Sequence, residues 1–238
     1  MCPTISISPS FRIAGWLLCF GLHQTTAFAA TPQNTMAQRM QACATCHGQE
    51  GRATNSGYFP RIAGKPAGYL YNQLINFREG RRQNATMAYL IDHMSDQYLH
   101  EIANHFASLD LPYPPAQTTN APPATLARGE QLVRHGDPTR GVPACAGCHG
   151  AAMTGVAPAV PGLLGLPHAY RLGQLGAWRN GMRHAANPDC MGEITRRLSP
   201  QDVVAVATWL SSQPVTQGMA SAGSLPVKPA MDCGSGFR

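Results

Sequence analysis

The sequence predicts an all-α chain in which one small domain of a few short helices occurs twice in tandem. Three observations carry that expectation. Cys-x-x-Cys-His occurs at Cys43–His47 and again at Cys145–His149, each copy followed by a glycine, Gly48 and Gly150. An ordered series of residues downstream of the first motif recurs about one hundred positions later. Between these markers apolar residues fall at helical spacing, and proline, serine and glycine stand where helices start and stop.

In chain order, residues 1–29 read as a signal peptide. Arg12 supplies the positive charge, Ile13 to Leu22 the short apolar run, and Ala27-Phe28-Ala29 the small-residue cleavage site before Ala30. The run is too short to span a bilayer, and the residues before Cys19 lack the small side chains of a lipidation signal. The mature chain, about two hundred residues, suffices for two small domains. Domains of that size bury little core of their own.

The repeat sets the boundaries. Pro60-Arg61-Ile62-Ala63-Gly64 matches Pro161-Gly162-Leu163-Leu164-Gly165, and Tyr69, Gln73-Leu74, Phe77-Arg78 and Gly80 match Tyr170, Gln174-Leu175, Trp178-Arg179 and Gly181. After a three-residue insertion in the second half, Met87 matches Met191 and Ser95 matches Ser199. Residues 30–110 are expected to form domain 1, and 111–124 a Pro-rich connector running extended over the outside. Residues 125–213 form domain 2, and 214–238 a tail along the surface. Each domain reads as three helices. The first covers Thr35 to Cys46, or Leu126 to His135. The second starts at Pro66 or Pro167 and stops at Gly80 or Gly181. The third starts at Ser95 or Ser199, with an acid placed to complete the cap at Asp202. Leu99, Ile102, Ala103 and Phe106 form one apolar face, and Val203, Val206, Ala207 and Leu210 its counterpart.

The paired motifs carry the chemistry. Cys-x-x-Cys-His attaches a c-type haem. The thiols of Cys43 and Cys46, or of Cys145 and Cys148, add to the haem vinyl groups, and His47 or His149 becomes the proximal iron ligand. A zinc site made from both motifs would use the four cysteines and leave each histidine without a role. A redox disulfide of the thioredoxin kind needs an α/β setting that this sequence lacks. A thioether as second ligand suits an electron carrier. The candidates are Met87 and Met94 in the first half and Met191 and Met182 in the second, and the repeat favours Met87, in a loop between helices, and Met191. The second half also carries His184 and Cys190 near its candidate. Cys190 and Cys233 remain as an even pair after the haem cysteines, expected to form a disulfide. Ligation by Cys190 or His184 is the alternative.

This pattern resembles the class I cytochromes c, and within them the two-haem cytochrome c4 family, over nearly the whole mature chain. Beyond the haem motifs, the resemblance rests on Pro60–Gly64, Pro161–Gly165, Tyr69 with Gln73-Leu74, and Phe77–Arg81 leading to Met87. It implies two tandem class I cytochrome c domains, each wrapped around one covalent haem c. It also implies that the carbonyls of Pro60 and Pro161 hold the Nδ1–H of His47 and His149. The implied role is a periplasmic carrier, soluble or loosely membrane-associated, that takes electrons from a respiratory complex to a terminal oxidase. The alternative is a haem subunit of a dehydrogenase that oxidises sulfide or an alcohol. A two-haem thiosulfate dehydrogenase or peroxidase needs an unusual axial position, for which Cys190 is the candidate. No acid–base constellation argues for an enzyme.

The formal charge of +6 falls when Arg12 leaves and two haems bring their propionates. With no basic run, nucleic acid is not an expected partner. Residues 119–238 hold ten Lys/Arg against six Asp/Glu, so the second half is expected to show the more positive face to redox partner proteins.

Overall fold

A computed structural model describes residues 33–54, 57–215, 221–226 and 229–236. The signal-peptide reading of residues 1–29 lies outside these. The first half contains α1 (Met36–Arg39), α2 (Gln41–His47), α3 (Ala67–Arg78), α4 (Ala85–Ile91) and α5 (Asp96–Ala107). The second contains α6 (Pro123–Arg134), α7 (Ala146–His149), the antiparallel pair β1 (Gly155–Val156) and β2 (Val160–Pro161), α8 (His168–Arg179), α9 (Cys190–Arg197) and α10 (Pro200–Ser212).

Local chemistry sets the helix ends. Ser95 Oγ accepts from the Tyr98 N–H at 3.2 Å, and Ser199 forms a reciprocal capping box with Asp202. The expected apolar faces are buried: Leu99, Ile102, Ala103 and Phe106 in α5, and Val203, Val206, Ala207 and Leu210 in α10. Helices α3 and α8 stop where Gly80 and Gly181 adopt φ of 74° and 71°, a conformation that glycine takes without the cost of a Cβ. Arg78 and Arg179 then donate to the carbonyls of Met94 and Leu198, each just before a capping serine.

Two expectations need correction. Met87 does not sit in a loop: Asn84 caps α4 by accepting from the Met87 N–H at 2.9 Å, and Asp189 caps α9 by accepting from Gly192 N–H at 2.9 Å. Both helices are short, seven and eight residues, too few for an apolar period to announce them. The helix expected over Thr35 to Cys46 is two, α1 and α2, meeting at Met40. The Pro-rich connector is held at several points. Arg61 donates to the carbonyls of Leu111 and Pro112 and lies over the Tyr113 ring, and Gln117 N–H donates to Ser211 O.

Each half has its own apolar core. The first gathers Met40, Leu70, Phe77, Ile91, Leu99, Ile102 and Phe106; the second gathers Leu132, Val133, Val203, Val206, Trp209 and Leu210 with their neighbours. In the second core α6 crosses α10 so closely that a Cβ on Gly129 would lie 2.2 Å from the Ala205 carbonyl oxygen.

The halves are nevertheless joined into one unit from Asn34 onward. Arg82 and Arg183, at matching places in the repeat, form an antiparallel bridge across the interface. Arg82 donates to Gln73 of its own half and to Gln174 and Tyr170 of the other. Arg183 donates to Gln174 of its own half and to Gln73 of the other. The pattern is reciprocal, as expected of two copies facing each other. The tail adds a strap: Cys233 is disulfide-bonded to Cys190, and Ser235 O accepts from Asn72 of the first half.

Candidate haem sites

Helix α2 carries Cys43, Cys46 and His47 on consecutive turns, and α7 with its N-terminal Cys145 carries Cys148 and His149. His47 Nδ1 donates to Pro60 O at 2.9 Å, and His149 Nδ1 to Pro161 O at 2.8 Å. A carbonyl can only accept, so each bond places the ring proton on Nδ1 and leaves Nε2 as the free lone pair. The loops that present the two prolines are pinned alike. Gly51 O accepts from Ile62 N–H, and Met153 O accepts from Leu163 N–H, both at 2.8 Å. Gly51 and Met153 both have positive φ.

Burial lowers the basicity of both histidines, keeping the rings neutral, the form that ligates a metal. Burial also pushes the Cys43 and Cys148 thiols up, and Cys145 up to about 11. Neither motif forms a disulfide. Burial thus favours the uncharged form of Cys43, Cys145 and Cys148, a setting suited to thioethers, which carry no charge.

Met87 lies half-buried in the first turn of α4, against the core cluster that Cys43 also lines. Met94 packs on the same cluster. Met191 lies half-buried in the first turn of α9, its carbonyl accepting from Thr195 Oγ1 at 2.8 Å. Its rival Met182 is half exposed. The alternative ligands are otherwise engaged: the Cys190 sulfur is in the disulfide, and His184 Nε2 bonds the Gly181 carbonyl.

The surroundings of both sites are strongly cationic. Arg61, Lys65, Arg82, Arg171 and Arg183 are all at least nine-tenths buried, and none forms an ion pair among the described residues. Arg171 donates only to the carbonyls of Leu163 and Leu166. Burial pushes Arg171 down to about 9 and Arg183 to about 10. Burial, with Arg61 and Arg171 nearby, pushes Lys65 down to about 7. Trp178 Nε1 is a buried donor with no acceptor. Buried charge without counter-charge is costly. Two haems, each with two propionate carboxylates, would bring anions to this cationic setting. The residues present therefore fit the group: Cys43, Cys46, Cys145 and Cys148 as thioether partners, His47 and His149 as nitrogen donors.

Comparison with known proteins agrees. The family model described as Cytochrome c matches residues 126–214. The thiosulfate dehydrogenase electron acceptor of Thiomonas intermedia (strain K12) is 34% identical over 191 residues, covering 79% of this chain and 87% of the relative. The cytochrome c4 of Pseudomonas aeruginosa is 34% identical over 198 residues, covering 82% of this chain and 94% of the relative. This chain belongs to the two-haem cytochrome c4 family. Among solved structures, reduced recombinant cytochrome c4 from Pseudomonas stutzeri aligns with a TM-score of 0.65 at 30% identity, covering 74% of this chain and 95% of that one.

As a cytochrome c4, the chain folds as two class I cytochrome c domains, carries two covalently bound haem c groups and acts as an electron carrier rather than an enzyme. The buried cations of this cytochrome belong to no basic run in the sequence. One signal was available. Arg82 and Arg183 each stand two residues past the glycine that ends a helix, at the offset of the repeat. The expected positive face of the second half is also smaller than its count of charges suggests, because Arg171 and Arg183 are buried and Arg128 and Arg140 are paired with Asp137 and Asp202.

Proposed function

We propose that this cytochrome is a periplasmic shuttle that takes single electrons from a thiosulfate-oxidising dehydrogenase and passes them towards a terminal oxidase. The observation that carries the reading is the pair of histidine–proline brackets, at 2.9 and 2.8 Å, in two halves clamped face to face by Arg82 and Arg183. Two redox centres held in that way load two electrons in sequence and release them one at a time. In this reading Cys43, Cys46, Cys145 and Cys148 hold the haems, His47 and His149 are the proximal ligands, and Met87 and Met191 the distal ones. Residues 30–110 and 125–213 are the two domains, 111–124 the connector and 214–238 the tail.

The donor is supported by the Thiomonas relative, which is named as an electron acceptor of thiosulfate dehydrogenase. The compartment is supported by the Cys190–Cys233 disulfide, a bond that persists where the surroundings are oxidising, and by the leader-like residues 1–29. No helix among the described residues is long and apolar enough to cross a membrane.

The test is stopped-flow mixing of the oxidised holo-protein with a thiosulfate dehydrogenase and thiosulfate. Saturable reduction of both haems is expected. A protein that dithionite reduces but the enzyme does not would exclude this donor and leave the respiratory complexes. Met87→Ala and Met191→Ala should each remove about half of the thioether-to-ferric charge-transfer absorption, since in this reading each iron has one methionine sulfur as ligand.

A further inference from the structure

We propose that Lys65 sets the potential of the haem at His149, acting across the interface from the opposite half of the molecule. Lys65 lies in the turn before α3 of the first half, and its side chain passes into the second. Its Nζ donates to Gly162 O at 3.0 Å. Gly162 directly follows Pro161, whose carbonyl holds His149 Nδ1 at 2.8 Å. The ammonium therefore ends one peptide unit from the carbonyl that orients the proximal ligand, and its charge acts on that imidazole. Lys65 is 4% exposed, so water screens this interaction weakly.

The sign follows from charge. Reducing the iron adds one electron and no proton, so the site becomes one unit less positive. A fixed cation beside it favours the reduced form and raises the potential. The duplication does not repeat the arrangement. The position matching Lys65 is Leu166, which carries no charge, so the second half sends no such cation back towards Pro60 and His47. The first site has cations of its own, since the Arg82 charge acts on His47 and the buried Arg61 directly follows Pro60, so the role of Lys65 concerns the second potential. Arg61 and Arg171 are the other cations near Lys65, and neither bonds the Gly162 carbonyl. Lys65 is a positioning residue that acts through the proximal loop and not as a ligand.

The inference rests on His149 being the proximal ligand of the second haem, so the experiment keeps the two claims apart. Lys65→Gln retains a donor for Gly162 O and removes the charge; Lys65→Arg retains both. Each full-length holo-protein is first checked for two haems per chain and an unchanged charge-transfer band. The two midpoints are then measured at about pH 6, below the value of about 7 to which burial pushes Lys65. Haem-methyl NMR assigns each midpoint to its half. The expected result is that Lys65→Gln lowers the midpoint of the second haem alone, changing the equilibrium between the haems by about tenfold, or about 59 mV for one electron. Lys65→Arg should stay near the parent. Unchanged midpoints in Lys65→Gln, or equal shifts at both haems, would overturn the role of Lys65. A lost charge-transfer band in the parent protein would instead overturn the ligand reading on which it rests. Should Lys65→Gln fail to take up two haems, Lys65→Met gives the same comparison without the donor, and unchanged midpoints there overturn the proposal equally.

Discussion

At the scale of single residues, the second half is organised around Asp202. It is 4% exposed, caps α10 through Ser199, and accepts from Arg128 and Arg140, which also reach Asp137. Burial alone would raise the Asp202 pKa. The Ser199, Arg140 and Arg128 donors outweigh it and hold the group well below the usual carboxylate range. Asp137 is depressed by the same arginines and by Thr139. A depressed carboxylate stabilises the fold above its unfolded value, near pH 4, and that contribution disappears as pH falls through the folded value. Asp202→Asn should therefore cost about 2–3 kcal/mol at pH 7, by loss of charge-assisted bonds. Thermal melts at successive pH values should show the deficit narrowing below about pH 4. A deficit that does not vary with pH would mean that packing, not charge, is what Asp202 contributes.

At the scale of elements, close backbone approach and covalent closure decide stability. Gly129→Ala would drive a Cβ into the Ala205 carbonyl and Trp209 Cβ where α6 crosses α10. The expected loss is about 1–3 kcal/mol, read as a lower urea midpoint for the holo-protein. The disulfide closes a loop of 43 residues between α9 and the tail. Replacing Cys190 and Cys233 by alanine should cost about 2–4 kcal/mol. The charge-transfer band of the second haem should be lost at lower denaturant than that of the first, because Met191 follows Cys190 directly. Much at this scale was legible beforehand. The Ser95 and Ser199 caps, the Gly80 and Gly181 stops and the pairing of Cys190 with Cys233 each follow from local chemistry or from counting cysteines. Helices α4 and α9 were not legible. Seven or eight residues long, they are too short for an apolar period to stand out, and they depend on the Asn84 and Asp189 caps and on packing against the rest of a half.

At the scale of the whole molecule, the duplication was legible from ordered markers, and the bonds of His47 to Pro60 and of His149 to Pro161 follow the implied pattern. The joining of the halves was not legible. Buried arginines are rare, and the oxygens that hold Arg82 and Arg183 are amide and phenol groups drawn from both halves, which no local pattern pairs with them. The clamp makes a prediction. Gln73→Leu with Gln174→Leu removes the oxygens shared by the two guanidinium groups and leaves volume almost unchanged. The cost should be about 3–5 kcal/mol, as for a buried charge deprived of its partner. Small-angle scattering should show an expanded particle, and exchange of an electron between the haems should slow. Unchanged dimensions and exchange would assign the joining of the halves to the connector and the tail.

The most direct test of the account is a redox titration of the mature holo-protein, followed by optical and EPR spectroscopy. The account predicts two low-spin haems, each with the thioether-to-ferric charge-transfer band, and two positive midpoint potentials. A high-spin second haem, or one with a thiolate signature at strongly negative potential, would contradict it.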